Sequence, residues 1–89
     1  MIAVAAASGF GDRVVTFYYD EDSLAIVRVS CVGRGRGVAV EAVRSDGSAL
    51  WSGAFDASEQ PDDLVVEGVA FASTSLNGVE FRFQELADA

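Results

Sequence analysis

Val79-Glu80-Phe81-Arg82-Phe83-Gln84 alternates apolar and polar residues without a break. A period of two belongs to a strand with one buried face, because successive side chains leave a pleated backbone on opposite sides. Val79, Phe81 and Phe83 are therefore expected to point inward, and Glu80, Arg82 and Gln84 outward. Asn77-Gly78 stands directly before the strand, and both residues tolerate positive φ, so the pair predicts a hairpin turn.

The same period runs back toward the N-terminus. Leu64 to Ser73 is a β-branched and aromatic run that reads as the strand before that turn. Asp56 to Asp63 reads as a polar connection, and it holds the only proline, Pro61, which cannot donate to a sheet ladder. In Ala49–Phe55 the even spacing of Trp51 and Phe55 lets both face one core. Ser45-Asp46-Gly47-Ser48 joins this strand to Val38–Arg44 as a second hairpin, with Asp-Gly at its turn. Leu24–Val32 carries Ala25, Val27, Val29 and Cys31 on one expected face and Arg28 and Ser30 on the other. Arg13–Tyr19 is an aromatic-rich strand closed by the acidic turn Asp20-Glu21-Asp22-Ser23. Ile2–Ala7 reads as a further strand, with an alanine-rich helical turn as the alternative.

These are about seven strands, with turn signals between them and no stretch of helical period. The pattern predicts one all-β domain over residues 1–89, an antiparallel β-sandwich of immunoglobulin-like or jelly-roll-like type, or a small barrel. A chain of 89 residues has room for one core. It buries only roughly 60% of its unfolded surface, so a neighbouring subunit would improve a marginal balance.

Composition narrows the chemistry. The chain has six Arg, no Lys, no His and one Cys against 14 acidic residues, for a formal charge of -8. Excess negative charge opposes binding to nucleic acid or anionic lipid. No apolar run approaches the ~20 residues of a membrane helix. The N-terminal residues lack the positive charge that opens a secretory signal, so synthesis in the cytoplasm without export by that route is the expectation. With neither His nor Lys, the serines lack an ordinary activating base, and Cys31 sits on an apolar strand face as an inert thiol. No pair of carboxylates stands out for glycoside hydrolysis. An enzyme is not expected, nor is a cofactor.

Three segments invite a binding role. Gly33-Arg34-Gly35-Arg36-Gly37 would suit a phosphate loop only if a helix followed, and the strand-like Val38-Ala39-Val40-Glu41 follows instead. It reads as a flexible hairpin tip with solvated arginines, and Arg34 and Arg36 are the first candidates for pairing with an acidic partner surface, including a second copy of this chain. Asp20-Glu21-Asp22, and Asp56 with Glu59, Asp62 and Asp63, could offer oxygens to calcium, but neither has EF-hand spacing, so both read as solvated turns and no metal is expected. Tyr18 lies between Phe17 and Tyr19 and must face away from them. With Asp20 and Asp22 nearby, it is a candidate for partner contact or for stacking on a sugar ring.

Val43-Arg44-Ser45-Asp46-Gly47-Ser48-Ala49-Leu50-Trp51-Ser52-Gly53-Ala54-Phe55 resembles the hairpins of immunoglobulin-like and related β-sandwich modules, where a strand ends in Asp-Gly and the next carries a buried aromatic. The paired cysteines of true immunoglobulin domains are absent, so the resemblance implies architecture only. A small acidic sandwich without His or Lys is also similar to accessory proteins of tailed-phage virions: head-decoration, tail or fibre-tip components. That likeness implies repeated copies on a symmetric scaffold, with edge or loop contacts between neighbours.

The function expected from all this is a non-enzymatic structural or interaction module, one of many copies in a larger assembly such as a phage particle. Its partners would be other protein subunits, itself or a scaffold protein, and not nucleic acid or membrane. A small carbohydrate-binding module is the alternative, with an acidic inhibitor or nucleic-acid mimic more distant.

Overall fold

The computed structural model describes residues 1–57 and 78–86, and the strand formed by 62–70. Pro61, Glu59 and Asn77 of the expected connection and turn, and the end of the Leu64–Ser73 run, lie outside the described residues. Seven strands are present among the described residues: β1 (Ile2–Phe10), β2 (Arg13–Asp20), β3 (Ala25–Val32), β4 (Val38–Arg44), β5 (Ala49–Phe55), β6 (Asp62–Ala70) and β7 (Val79–Glu85). They form two antiparallel sheets, in the orders β1-β2-β3-β6 and β5-β4-β7. The protein is therefore all-β. The order differs from the constant-type immunoglobulin arrangement, in which the second strand pairs with the fifth; here β2 pairs with β3.

Alternation builds the core as the sequence implies. Val15 and Phe17 of β2, Val29 and Cys31 of β3, Val38, Val40 and Ala42 of β4, and Phe55 of β5 are buried in one cluster drawn from both sheets. Phe17 is its hub. Its ring meets Trp51 edge-on at 5.8 Å, Phe81 at 4.8 Å and Phe83 at 5.6 Å. Such ring pairs contribute on the order of 1 kcal/mol each beyond the area they bury.

Five expectations are corrected. The strands on either side of Asn77-Gly78 do not form the expected hairpin: β6 pairs with β3 and β7 with β4, in different sheets, so this turn signal stands in a sheet-to-sheet connection. Ile2–Ala7 runs on to Phe10 as β1, because its register with β2 continues to the Phe10–Arg13 pair across a two-residue turn. Asp62 and Asp63 are not in a polar connection; they open β6, paired with Cys31 and Ser30. The inward face of β3 is not a simple alternation: Tyr18 pairs with Arg28 and Tyr19 with Ile26, so Val27 is an extra residue. That bulge puts Ile26 in the core beside Val29 and Cys31, and leaves Ala25 and Val27 half-buried. Finally, Gly33–Gly37 is not a hairpin tip. It carries the chain from β3 in one sheet to β4 in the other.

Candidate functional site

The glycine-rich crossing is packed tightly. A Cβ on Gly33, whose φ is 95°, would lie 1.9 Å from the carbonyl oxygen of Asp12, and one on Gly37 would lie 2.9 Å from that of Phe55. The glycines let main chain press on main chain. Leu86 closes it from the other side by donating its N–H to the Gly37 carbonyl at 2.7 Å. The side chains of Arg34 and Arg36 are exposed, as expected. Arg36 stands 3.7 Å from Glu85, an exposed pair of small energetic weight.

Beneath the crossing lies a residue that the sequence reading passed over. Arg13 is 0% exposed. Its Nη1 donates to the carbonyls of Arg36 at 2.6 Å and Asp56 at 3.0 Å, tying the β3–β4 crossing to the chain leaving β5. Nε and Nη2 are buried with no hydrogen-bond partner among the described residues. The signal was available: Arg13, Val15, Phe17 and Tyr19 are in phase, and three of the four are core residues by type.

Tyr18, Asp20 and Asp22 sit at the other end of β2, five or more residues from Arg13, roughly 17 Å along a strand. The structure thus does not gather the sequence candidates into one site. Tyr18 faces outward and is half-buried, with the Arg28 guanidinium carbon 4.3 Å from its ring centroid. This cation–π contact covers one ring face. Asp20 Oδ1 accepts the N–H of Asp22 at 2.8 Å, and the Asp20 carbonyl accepts that of Leu24 at 2.7 Å, so the acidic turn is internally bonded. Leu24 has a φ of 58°, held there by packing against the core. Among the described residues, no group of three or more His, Cys, Asp or Glu is placed to hold a metal ion.

The two outer sheet faces differ in character. On the β5-β4-β7 sheet, Arg82 reaches Glu80 at 3.1 Å and Glu41 at 3.5 Å. Its hydrogen bond and charge hold the Glu80 carboxyl below the usual carboxylate range. An open depression of about 610 Å³ crosses this polar face. On the β1-β2-β3 side the outward residues are Ile2, Val4, Ala7 and Gly9 of β1, Val14, Thr16 and Tyr18 of β2, and Arg28, Ser30 and Val32 of β3. Ile2 is 52% exposed, Val4 57%, Val14 42% and Val32 47%, so most of the exposed large apolar residues described lie on this one face. Val14 and Val32 are register partners with Gly9 beside Val14, while Ile2 and Val4 lie toward the other end of β1, beyond the row of Ala7, Thr16 and Ser30. No family model, curated protein or solved structure matches this chain.

Proposed function

We propose that this protein is a non-enzymatic structural or interaction module that works as one of many copies in a larger assembly, with its two sheets closed as a β-sandwich. The contacts of Phe17 with Trp51, Phe81 and Phe83 support the sandwich, since they join β2 to β5 and β7. The observation that carries the function is the apolar outer face of β1-β2-β3. Large apolar side chains left exposed side by side, as Val14 and Val32 are, mark a place where another protein packs. Arg34 and Arg36, exposed at the end of the molecule, supply positive charge for an acidic neighbour in a chain otherwise rich in carboxylates. A tailed-phage particle is the setting that the sequence likeness implies. A carbohydrate-binding role is disfavoured, because Arg28 already occupies one face of Tyr18, the ring that would stack on sugar.

The test is native purification followed by light scattering, comparing wild type with Val14→Lys/Val32→Lys and with Arg34→Ala/Arg36→Ala. Both double variants should melt like wild type and bind less of the co-purifying neighbour or higher-order species. A wild type that stays monomeric at all concentrations and co-purifies with nothing overturns the reading.

A further inference from the structure

Among the described residues the four sheet edges are β1, β6, β5 and β7. Edges expose unpaired backbone groups, and β proteins guard them with charge, proline or bulges. By sequence β6 holds Asp62, Asp63 and Glu67, and β7 holds Glu80, Arg82 and Glu85. β1, the nine residues Ile2–Phe10, has no charged residue and no proline. β5 is uncharged as well, but it exposes only the small residues Ala49, Ser52 and Ala54. β1 instead exposes Ile2 and Val4.

We propose that β1 is a self-pairing edge: two copies of this chain join β1 to β1, antiparallel about a two-fold axis, and so double the width of the β1-β2-β3-β6 sheet. This rests on the interaction-module reading and names its partner at this edge as a second copy. The argument is one of charge. A two-fold pair sets each stretch of strand against itself, so a charged strand would place like charges opposite one another. In a chain of net charge -8 most surfaces meet that penalty, and β1 does not. Its single bulge, at Ala5, leaves Ala6–Phe10 in unbroken register with β2. With the axis at Ser8, Ala7 faces the partner's Gly9, and these small side chains let the backbones close to strand spacing. The outer face bearing Val14 and Val32 stays open to other subunits.

Sedimentation from micromolar to near-millimolar concentration tests the pairing. Wild type should dimerise. Ala7→Lys and Ala7→Glu, each at an exposed position, should each weaken dimerisation by roughly 5-fold with the melting temperature of the monomer unchanged. An equimolar mixture of the two should restore the dimer, because opposite charges then meet diagonally across the axis. Val14→Lys, two strands from the partner, should dimerise like wild type. A wild type monomeric throughout, a mixture that stays monomeric, or loss of the dimer in Val14→Lys but not in Ala7→Lys overturns the proposal. A monomer that still co-purifies with a different subunit overturns self-pairing alone. A monomer that co-purifies with nothing overturns the interaction reading too.

Discussion

Gly33 and Gly47 have similar backbone angles, φ 95° and 90°, and very different surroundings. At Gly47, the turn of the β4–β5 hairpin, an added Cβ meets nothing within 4 Å; at Gly33 it meets the Asp12 carbonyl. Gly47→Ala should therefore cost only the backbone strain of a left-handed residue, about 1 kcal/mol. Gly33→Ala adds a main-chain clash that can be relieved only by moving the β1–β2 turn or the crossing, and should cost about 3 kcal/mol or more. Urea unfolding of both variants measures the difference; equal costs would mean that the crossing is not clamped on Asp12. Arg13 belongs to the same junction. Its guanidinium supplies donors to the carbonyls of Arg36 and Asp56, while its own Nε and Nη2 find no partner among the described residues.

At the scale of elements, single extra residues decide which face a strand presents. Ala5 in β1, Val27 in β3 and Leu50 in β5 each stand where the pairing register shifts. Removing such a residue would exchange the inner and outer rows on one side of it, since the side-chain period is two. Phe17 of β2 touches Trp51 of β5 and Phe81 and Phe83 of β7, linking elements of both sheets. Phe17→Ala should cost about 3–5 kcal/mol, a large share of the stability of a domain this size, whereas Phe17→Leu should lose less. Thermal unfolding checks it, and a Phe17→Ala protein with near-normal stability would contradict the role of this ring as the hub.

For the whole molecule, charge is the dominant variable. Without His, no side chain of ordinary pKa titrates between about pH 6 and 8. The Asp46 carboxyl lies below the usual range, first because the Ser48 hydroxyl donates to it at 2.6 Å and then because the Ser48 N–H does at 2.9 Å. Being more acidic folded than unfolded, it stabilises the fold fully above its unfolded pKa, and this is lost as pH falls through the folded value. The gap in melting temperature between wild type and Asp46→Asn should thus be widest at neutral pH and close in acid. A gap that does not change with pH would show that the Asp46–Ser48 bonds are absent in solution.

The hairpin around Asp46-Gly47, the bounds of β4 and β5 and the inward row of β7 were all legible in the residues, because a turn signal and a strict alternation are local properties. The exposure of Arg34 and Arg36 was legible too. The candidate surface was not: Val14 and Val32 become one apolar strip only when β2 and β3 are set in register, and β1 becomes an edge only once the strand order is known. The crossing looked flexible because glycine is permissive in isolation, yet here its missing side chains are what allow two main chains to touch. The sequence alone determined that this chain forms alternating strands with a shared apolar interior, since side-chain direction follows from the pleat. Which strands meet, where bulges reset the phase, and that Arg13 lies buried beneath a sheet-to-sheet crossing were decided by the tertiary structure, because these depend on contacts between residues far apart in the chain.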